Sequence, residues 1–236
     1  MSRLARIAVF WLLGAALALP ALANERTSRL QGRTYLDRND QVIGATVVVR
    51  PADDGSKLFL TSADGSGHFR VDALPDGDYD VLVRRNGYSP VTKRAVGLKF
   101  PFRAVVEIQM ESGEDVAAPL AVPTDASGAF SVQGSIATRE GDPIDEARIR
   151  LVRDDASRDP FDAQTRADGA FALDEVDAGI WRLEVVAVGY VPLRQPVTIG
   201  ESTEIRITLV QQPADYQMSP LELMPREDVR APAGLR

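Results

Sequence analysis

A fixed offset lays one stretch of this chain on another: residues 74–90, LPDGDYDVLVRRNGYSP, and residues 176–192, VDAGIWRLEVVAVGYVP. Gly77 falls on Gly179, Tyr79 on Trp181, Val81 on Leu183, Val83 on Val185, and Gly87-Tyr88-x-Pro90 on Gly189-Tyr190-x-Pro192. The chain is a duplication, and each copy, at about a hundred residues, is long enough to bury a core of its own. Tyr79, Val81 and Val83 alternate with Asp78, Asp80 and Leu82, as Trp181, Leu183 and Val185 do with Arg182 and Glu184. A period of two marks a strand with one face in a core.

The rest of each copy reads the same way. A first short strand spans 29–35, with Gly32 echoed by Gly134. The β-branched run 46–49 follows a small-residue entry, as Ile149 and Leu151 follow Ala147. Leu58-Phe59-Leu60-Thr61 leads through Ala63-Asp64-Gly65 into His68-Phe69-Arg70-Val71. Its echo runs from Thr165 through Ala167-Asp168-Gly169 into Ala170-Phe171-Ala172-Leu173. In that alignment Ser66 and Gly67 are extra, which predicts a longer first hairpin. Strands around 91–96 and 103–110 close the unit, where Val105, Glu107 and Gln109 alternate with Val106, Ile108 and Met110. About seven short strands with turn signals every 8–12 residues predict a Greek-key β-sandwich per unit.

The predicted organisation is all-β: two tandem seven-stranded Greek-key sandwiches of transthyretin or immunoglobulin type at 28–111 and 130–210, joined by a flexible linker at 112–129. The linker, with Gly113, Pro119, Pro123 and three acids but no base, has the composition of a semi-extended segment that lets domains move. Cutting near Pro119 is then expected to give two independently folding halves. Residues 211–236 hold four prolines and no clear strand, and are expected to be mostly disordered, with 216–224 the part suited to packing or binding.

Residues 1–23 read as a secretory signal peptide: Arg3 and Arg6, the apolar run 7–19, then Ala21-Leu22-Ala23 before a cleavage site after Ala23. The apolar run is shorter than the ~20 residues of a spanning helix, so the expected location is periplasmic or secreted, with no membrane span after cleavage. There is no cysteine, which excludes disulfides, a lipidated cysteine, thiolate metal sites and a cysteine nucleophile. Removing the signal leaves 25 basic and 34 acidic residues (27 less Arg3 and Arg6), a formal charge of −9. So acidic a chain is not expected to bind nucleic acid. Residues 28–111 carry 12 bases and 11 acids, whereas residues 130–210 carry 9 and 15.

The small-residue strand entry, the T-x-A-D-G-x-F hairpin, the L-P-x-G-x-Y strand and the G-Y-x-P exit together resemble the carboxypeptidase regulatory-like domain, a transthyretin-like β-sandwich. The resemblance covers 28–111 and 130–210. Asp177 departs from it where the pattern prefers proline, a change of turn geometry only. It implies a non-catalytic accessory role, since such domains accompany enzymes, outer-membrane receptors and surface proteins, and some related sandwiches bind carbohydrate or protein.

Residue chemistry agrees with that implication. Hydroxyisourate hydrolases share the transthyretin fold but depend on several histidines, an arginine and a C-terminal YRGS-like motif. This chain has one histidine, His68, replaced by Ala170 in the second copy, and ends Ala-Gly-Leu-Arg. One histidine cannot furnish the zinc site of a carboxypeptidase. The acidic loops at 37–40, 53–54, 76–80 and 154–162 lack the glycine-bearing calcium-loop pattern and read as turn-forming aspartates. Lysines stand only at 57, 93 and 99, which excludes a lysine isopeptide crosslink from the second unit and leaves ordinary surface lysines in the first.

No catalytic, cofactor or metal residue is assigned, and no cofactor is expected. Tyr79, Trp181, Tyr88 and Tyr190 recur between the copies as core residues do. Tyr35, Phe100 and Phe102, which do not recur, and Tyr216 in the tail are the candidate contact residues. The function expected is an exported, non-enzymatic binding or structural module contacting an unidentified protein. The alternative is recognition of a carbohydrate or cell-envelope polysaccharide.

Overall fold

The computed structural model describes residues 26–37, 40–114, 128–153 and 158–212. The predicted signal peptide, most of the linker, nearly all of the tail, and Tyr216 within it lie outside them. Along the described residues run fourteen strands and no helix. The first seven are β1 (Thr27–Tyr35), β2 (Thr46–Pro51), β3 (Lys57–Ser62), β4 (His68–Pro75), β5 (Gly77–Arg84), β6 (Val91–Leu98) and β7 (Arg103–Gln109). The second seven are β8 (Ala129–Ala137), β9 (Arg148–Val152), β10 (Phe161–Gln164), β11 (Ala170–Asp177), β12 (Gly179–Val186), β13 (Leu193–Ile199) and β14 (Thr203–Thr208).

Each unit repeats one topology. In the first, β4-β1-β7 faces β3-β2-β5-β6; in the second, β11-β8-β14 faces β10-β9-β12-β13. β1 runs parallel to β7 and β8 to β14, and the remaining pairs within each unit are antiparallel. The alternation read from the sequence is realised: Tyr79, Val81 and Val83 face one core, and Trp181, Leu183 and Val185 the other. Burying a ring with a polar atom requires a partner for that atom. Tyr79 Oη donates to the Pro75 carbonyl at 2.9 Å and Trp181 Nε1 to the Asp177 carbonyl at 2.9 Å. The acceptor is backbone in both, which is why aspartate serves in place of proline.

Gly32 and Gly134 have a packing reason to be glycine. A Cβ on Gly32 would stand 2.4 Å from the Val106 carbonyl oxygen and 2.5 Å from the Phe69 ring. On Gly134 it would stand 1.9 Å from the Ile205 oxygen and 2.9 Å from the Phe171 ring.

The first hairpin is not longer than the second. Ladder registers put Phe69 against Gly32 and Phe171 against Gly134, so Asp64 corresponds to Arg166 and Gly67 to Gly169. Both turns close alike, Gly67 N on Asp64 O at 2.9 Å and Gly169 N on Arg166 O at 2.7 Å. The turn glycines are Gly67 (φ 71°) and Gly169 (φ 75°). Matching Asp-Gly to Asp-Gly in the sequence slid the turn by two residues because the capping aspartate sits at different steps, Asp64 in one copy and Asp168 in the other. The true difference lies between β6 and β7: seven residues separate Leu98 from Val106, and five separate the equivalent Ile199 and Ile205. Phe100 and Phe102 stand in that longer connection.

The two sandwiches are not separate beads. β14 pairs in parallel with β3, Glu204 opposite Lys57 through Ile207 opposite Leu60, which fuses a three-stranded and a four-stranded sheet into one of seven, β11-β8-β14-β3-β2-β5-β6. Val48, Leu58, Leu60 and Leu82 of the first unit are buried in the core of the second. Linker composition predicts domains free to move; a shared ladder backed by apolar burial holds these two together. At the equivalent places the second unit has Arg150, Pro160, Asp162 and Glu184, a face that ends in solvent with Arg150 on Asp162 at 3.2 Å and Arg182 on Glu184 at 3.1 Å.

Candidate interaction surface

Of the contact residues expected from the sequence, Tyr35 falls at one end of a sheet and Phe100 and Phe102 at the other, Tyr216 lying outside the described residues. β1 and β7 run parallel from Arg29 beside Arg103 to Tyr35 beside Gln109. Tyr35 ends β1, half-buried, with the Arg33 guanidinium 5.3 Å from its ring centre. Phe102 precedes β7 at the other end. A strand of this length spans roughly 20 Å, so Tyr35 does not join Phe100 and Phe102 in one platform.

Phe100 is 46% and Phe102 71% exposed. Their loop is held from below: Phe100 N donates to Asp76 Oδ1 at 2.7 Å and Phe102 N to the Lys99 carbonyl at 2.8 Å. Backbone is thus satisfied while two rings face water. The sequence reading missed a third exposed apolar group of the first unit, Val105 within β7, at 60% exposure. The signal was present in the alternation, since Val105 takes the outward phase with Glu107 and Gln109. Its equivalent in the second unit is Glu204. A second apolar set, Val186 at 49% and Val188 at 100% exposure, tips the second unit where the first has Arg84 and Asn86.

At the junction of the units a cleft of about 410 Å³ is lined by Arg33, His68, Arg70, Val105, Glu107 and Arg139. Its cations are engaged: Arg139 Nη1 meets Asp64 Oδ2 at 3.0 Å, Arg70 pairs with Asp72, and Arg33 lies 3.9 Å from Glu107. Burial pushes the Asp64 carboxyl up, but the Arg139 hydrogen bond and the Ser66 and His68 amides together hold it below the usual value. His68 is exposed, and its amide caps onto Asp64 Oδ1 at 3.0 Å.

Of the acidic loops, those at 37–40 and 53–54 are built as turns, whereas Asp76 and Asp80 accept the distant amides of Phe100 and Ala95, and residues 154–157 lie outside the described ones. Asp37, Asp54, Asp64 and Asp168 each accept a backbone amide two to four residues on. Asp54 is held below its usual range by the Ser56 hydroxyl and by Lys57, which lies 3.1 Å away. Among the described residues no three histidine, cysteine or acidic side chains gather as metal ligands. No helix there is long and apolar enough to cross a membrane.

No curated protein sequence matches the chain. Among solved structures it is similar to the Bacillus anthracis TIE protein, at 15% identity over 78% of this chain and 34% of that one, with a TM-score of 0.28. It is similar to a streptococcal ancillary pilin at 13% identity, covering 80% and 63% of the two chains, TM-score 0.30. It is also similar to the minor pilin GBS52 of Streptococcus agalactiae, at 12% identity over 81% and 99%, TM-score 0.31. The chain therefore spans about a third of the TIE protein and under two thirds of the ancillary pilin. The family of carboxypeptidase regulatory-like domains matches residues 29–111 and again 131–210, one sandwich each, and the chain belongs to that family as a tandem pair.

Proposed function

We propose that this protein is an exported, non-catalytic binding or structural module that works by contact with another protein in the periplasm or at the cell surface. The observation that carries the reading is the exposed apolar end of the first unit, where Phe100, Phe102 and Val105 face water on a body whose two halves share a sheet. A rigid body with apolar groups at one end loses little conformational freedom on docking. Export rests on the signal-like residues 1–23. The recurring aromatics Tyr79 and Trp181 are buried in the two cores and offer no ring to a sugar, so protein contact is the better-supported reading.

Capture from the exported fraction tests it, with the wild-type chain and the double variant Phe100→Ser, Phe102→Ser as baits. Retention of a specific protein by the wild type and its loss with the variant is expected. Turnover of ester, peptide or ureide substrates by the folded protein would refute the non-catalytic reading, and retention on isolated cell wall or glycans would favour the carbohydrate one.

A further inference from the structure

We propose that the chain forms a two-fold dimer in which β7 pairs antiparallel with β7 of a second copy, centred on Val105. The inference deepens the reading above by naming one partner for the β7 end, and rests on it only in taking that end as a contact surface.

β7 is the outermost strand of β4-β1-β7, whereas its equivalent in the second unit, β14, has strands on both sides, β8 and β3. The strand that ends this fold is thus paired on both edges in one copy and on one edge in the other. A free edge of this length is a template for another strand. β6, another outer strand of the first unit, carries exposed Lys93 and Arg94, like charges that repel a copy of themselves.

β7 instead carries charges that attract their copy. Its outward residues read Arg103, Val105, Glu107, with the Glu107 side chain 65% exposed. Antiparallel pairing about Val105 sets Val105 against Val105 and, by symmetry, Arg103 against Glu107 twice. Opposite charges and apolar pairs directly across an antiparallel ladder are the stabilising ones. The contact is self-complementary, as a closed two-fold interface requires. On the other face Ala104 meets Val106, both half-buried against the first core, and Phe102 falls opposite Ile108 of the second copy, where its exposed ring covers the apolar seam.

The open alternative, repeating the β14–β3 contact between chains, fits badly. The same register would set Val106 beside Pro160 and Ile108 beside Asp162. Proline has no N–H to donate, and a carboxylate would turn toward an apolar face. The edge that could propagate a filament is blocked; the edge that closes a dimer is not.

Sedimentation equilibrium on protein purified from cells expressing all 236 residues tests the proposal, with the variants R103E, E107R and R103E/E107R. The wild type is expected to be a dimer in equilibrium with monomer. Each single reversal sets like charges opposite and is expected to raise the dissociation constant about tenfold or more, and the double reversal to restore it to within about threefold. Far-ultraviolet circular dichroism shows whether each variant is folded. A wild type that stays monomeric at every concentration overturns the dimer, as does a dimer indifferent to R103E. Single variants that weaken it without rescue by the double overturn the antiparallel register. A monomer that still captures a partner in a Phe102-dependent way leaves the broader reading standing.

Discussion

Ile207 of the second unit lies beside Leu60 of the first in a parallel ladder, and both look into the second core. At 2% and 1% exposure they are as buried as residues within either sandwich. The first unit therefore supplies part of the second unit's interior. Leu60→Ala is expected to destabilise the protein by about 2–4 kcal/mol, the range for truncating a buried leucine. Hydrogen exchange should rise most in β13 and β14. A loss confined to β2 and β3 would show that the second core does not depend on Leu60.

The shared ladder changes what cutting the chain near Pro119 is expected to do. The second fragment would expose Ile205, Ile207 and Leu193 once Val48, Leu58, Leu60 and Leu82 are gone. The two halves, co-expressed, are expected to co-purify as one complex, and the second alone to be poorly stable or aggregated. Two soluble halves with no affinity for each other would show that the interface contributes little.

Two glycines separate steric from conformational demand. Gly134→Ala forces a Cβ to 1.9 Å from the Ile205 carbonyl, where backbone must move, and is expected to cost about 3 kcal/mol. Gly189→Ala meets nothing within 4 Å but holds φ at 83°, so its expected cost is about 1 kcal/mol. Urea denaturation of both variants gives the comparison.

The Asp64–Arg139 pair should make the contact between the units sensitive to acid. Asp64 is held below the usual carboxylate value of 3.8, so the stability it contributes is present above that value and is lost as pH falls through the lowered one. Asp64→Asn keeps the turn's acceptor and removes the charge. It is expected to cost about 1 kcal/mol at neutral pH, and the difference from wild type should shrink as pH falls below the usual value and vanish once Asp64 is protonated in the folded protein. A gap that persists in acid would show that the charge on Asp64 is not its source.

The fold of each unit was legible in the chain because its determinants are local. The period of two in Tyr79, Val81 and Val83, the glycine exits at Gly87 and Gly189, and the same pattern written twice fix the strands and their inward faces. The reading of the first hairpin failed where an aspartate moved two steps within one turn, since side-chain caps are interchangeable in position in a way that a positive-φ glycine is not. Phe100 and Phe102 were visible as residues that fail to recur. Val105 was visible only as a phase in an alternation.

What the tertiary structure alone decided is the relation between the copies. Val48, Leu58, Leu60 and Leu82 gave β2, β3 and β5 a second apolar face, a pattern that belongs to strands buried on both sides. Sequence periodicity says that such a face must be covered but not by what. That β14 covers it, and that β7 is left with an open edge, follows from which strand ends came within reach of one another. The choice is made by packing between residues far apart in the chain, and no local pattern encodes it.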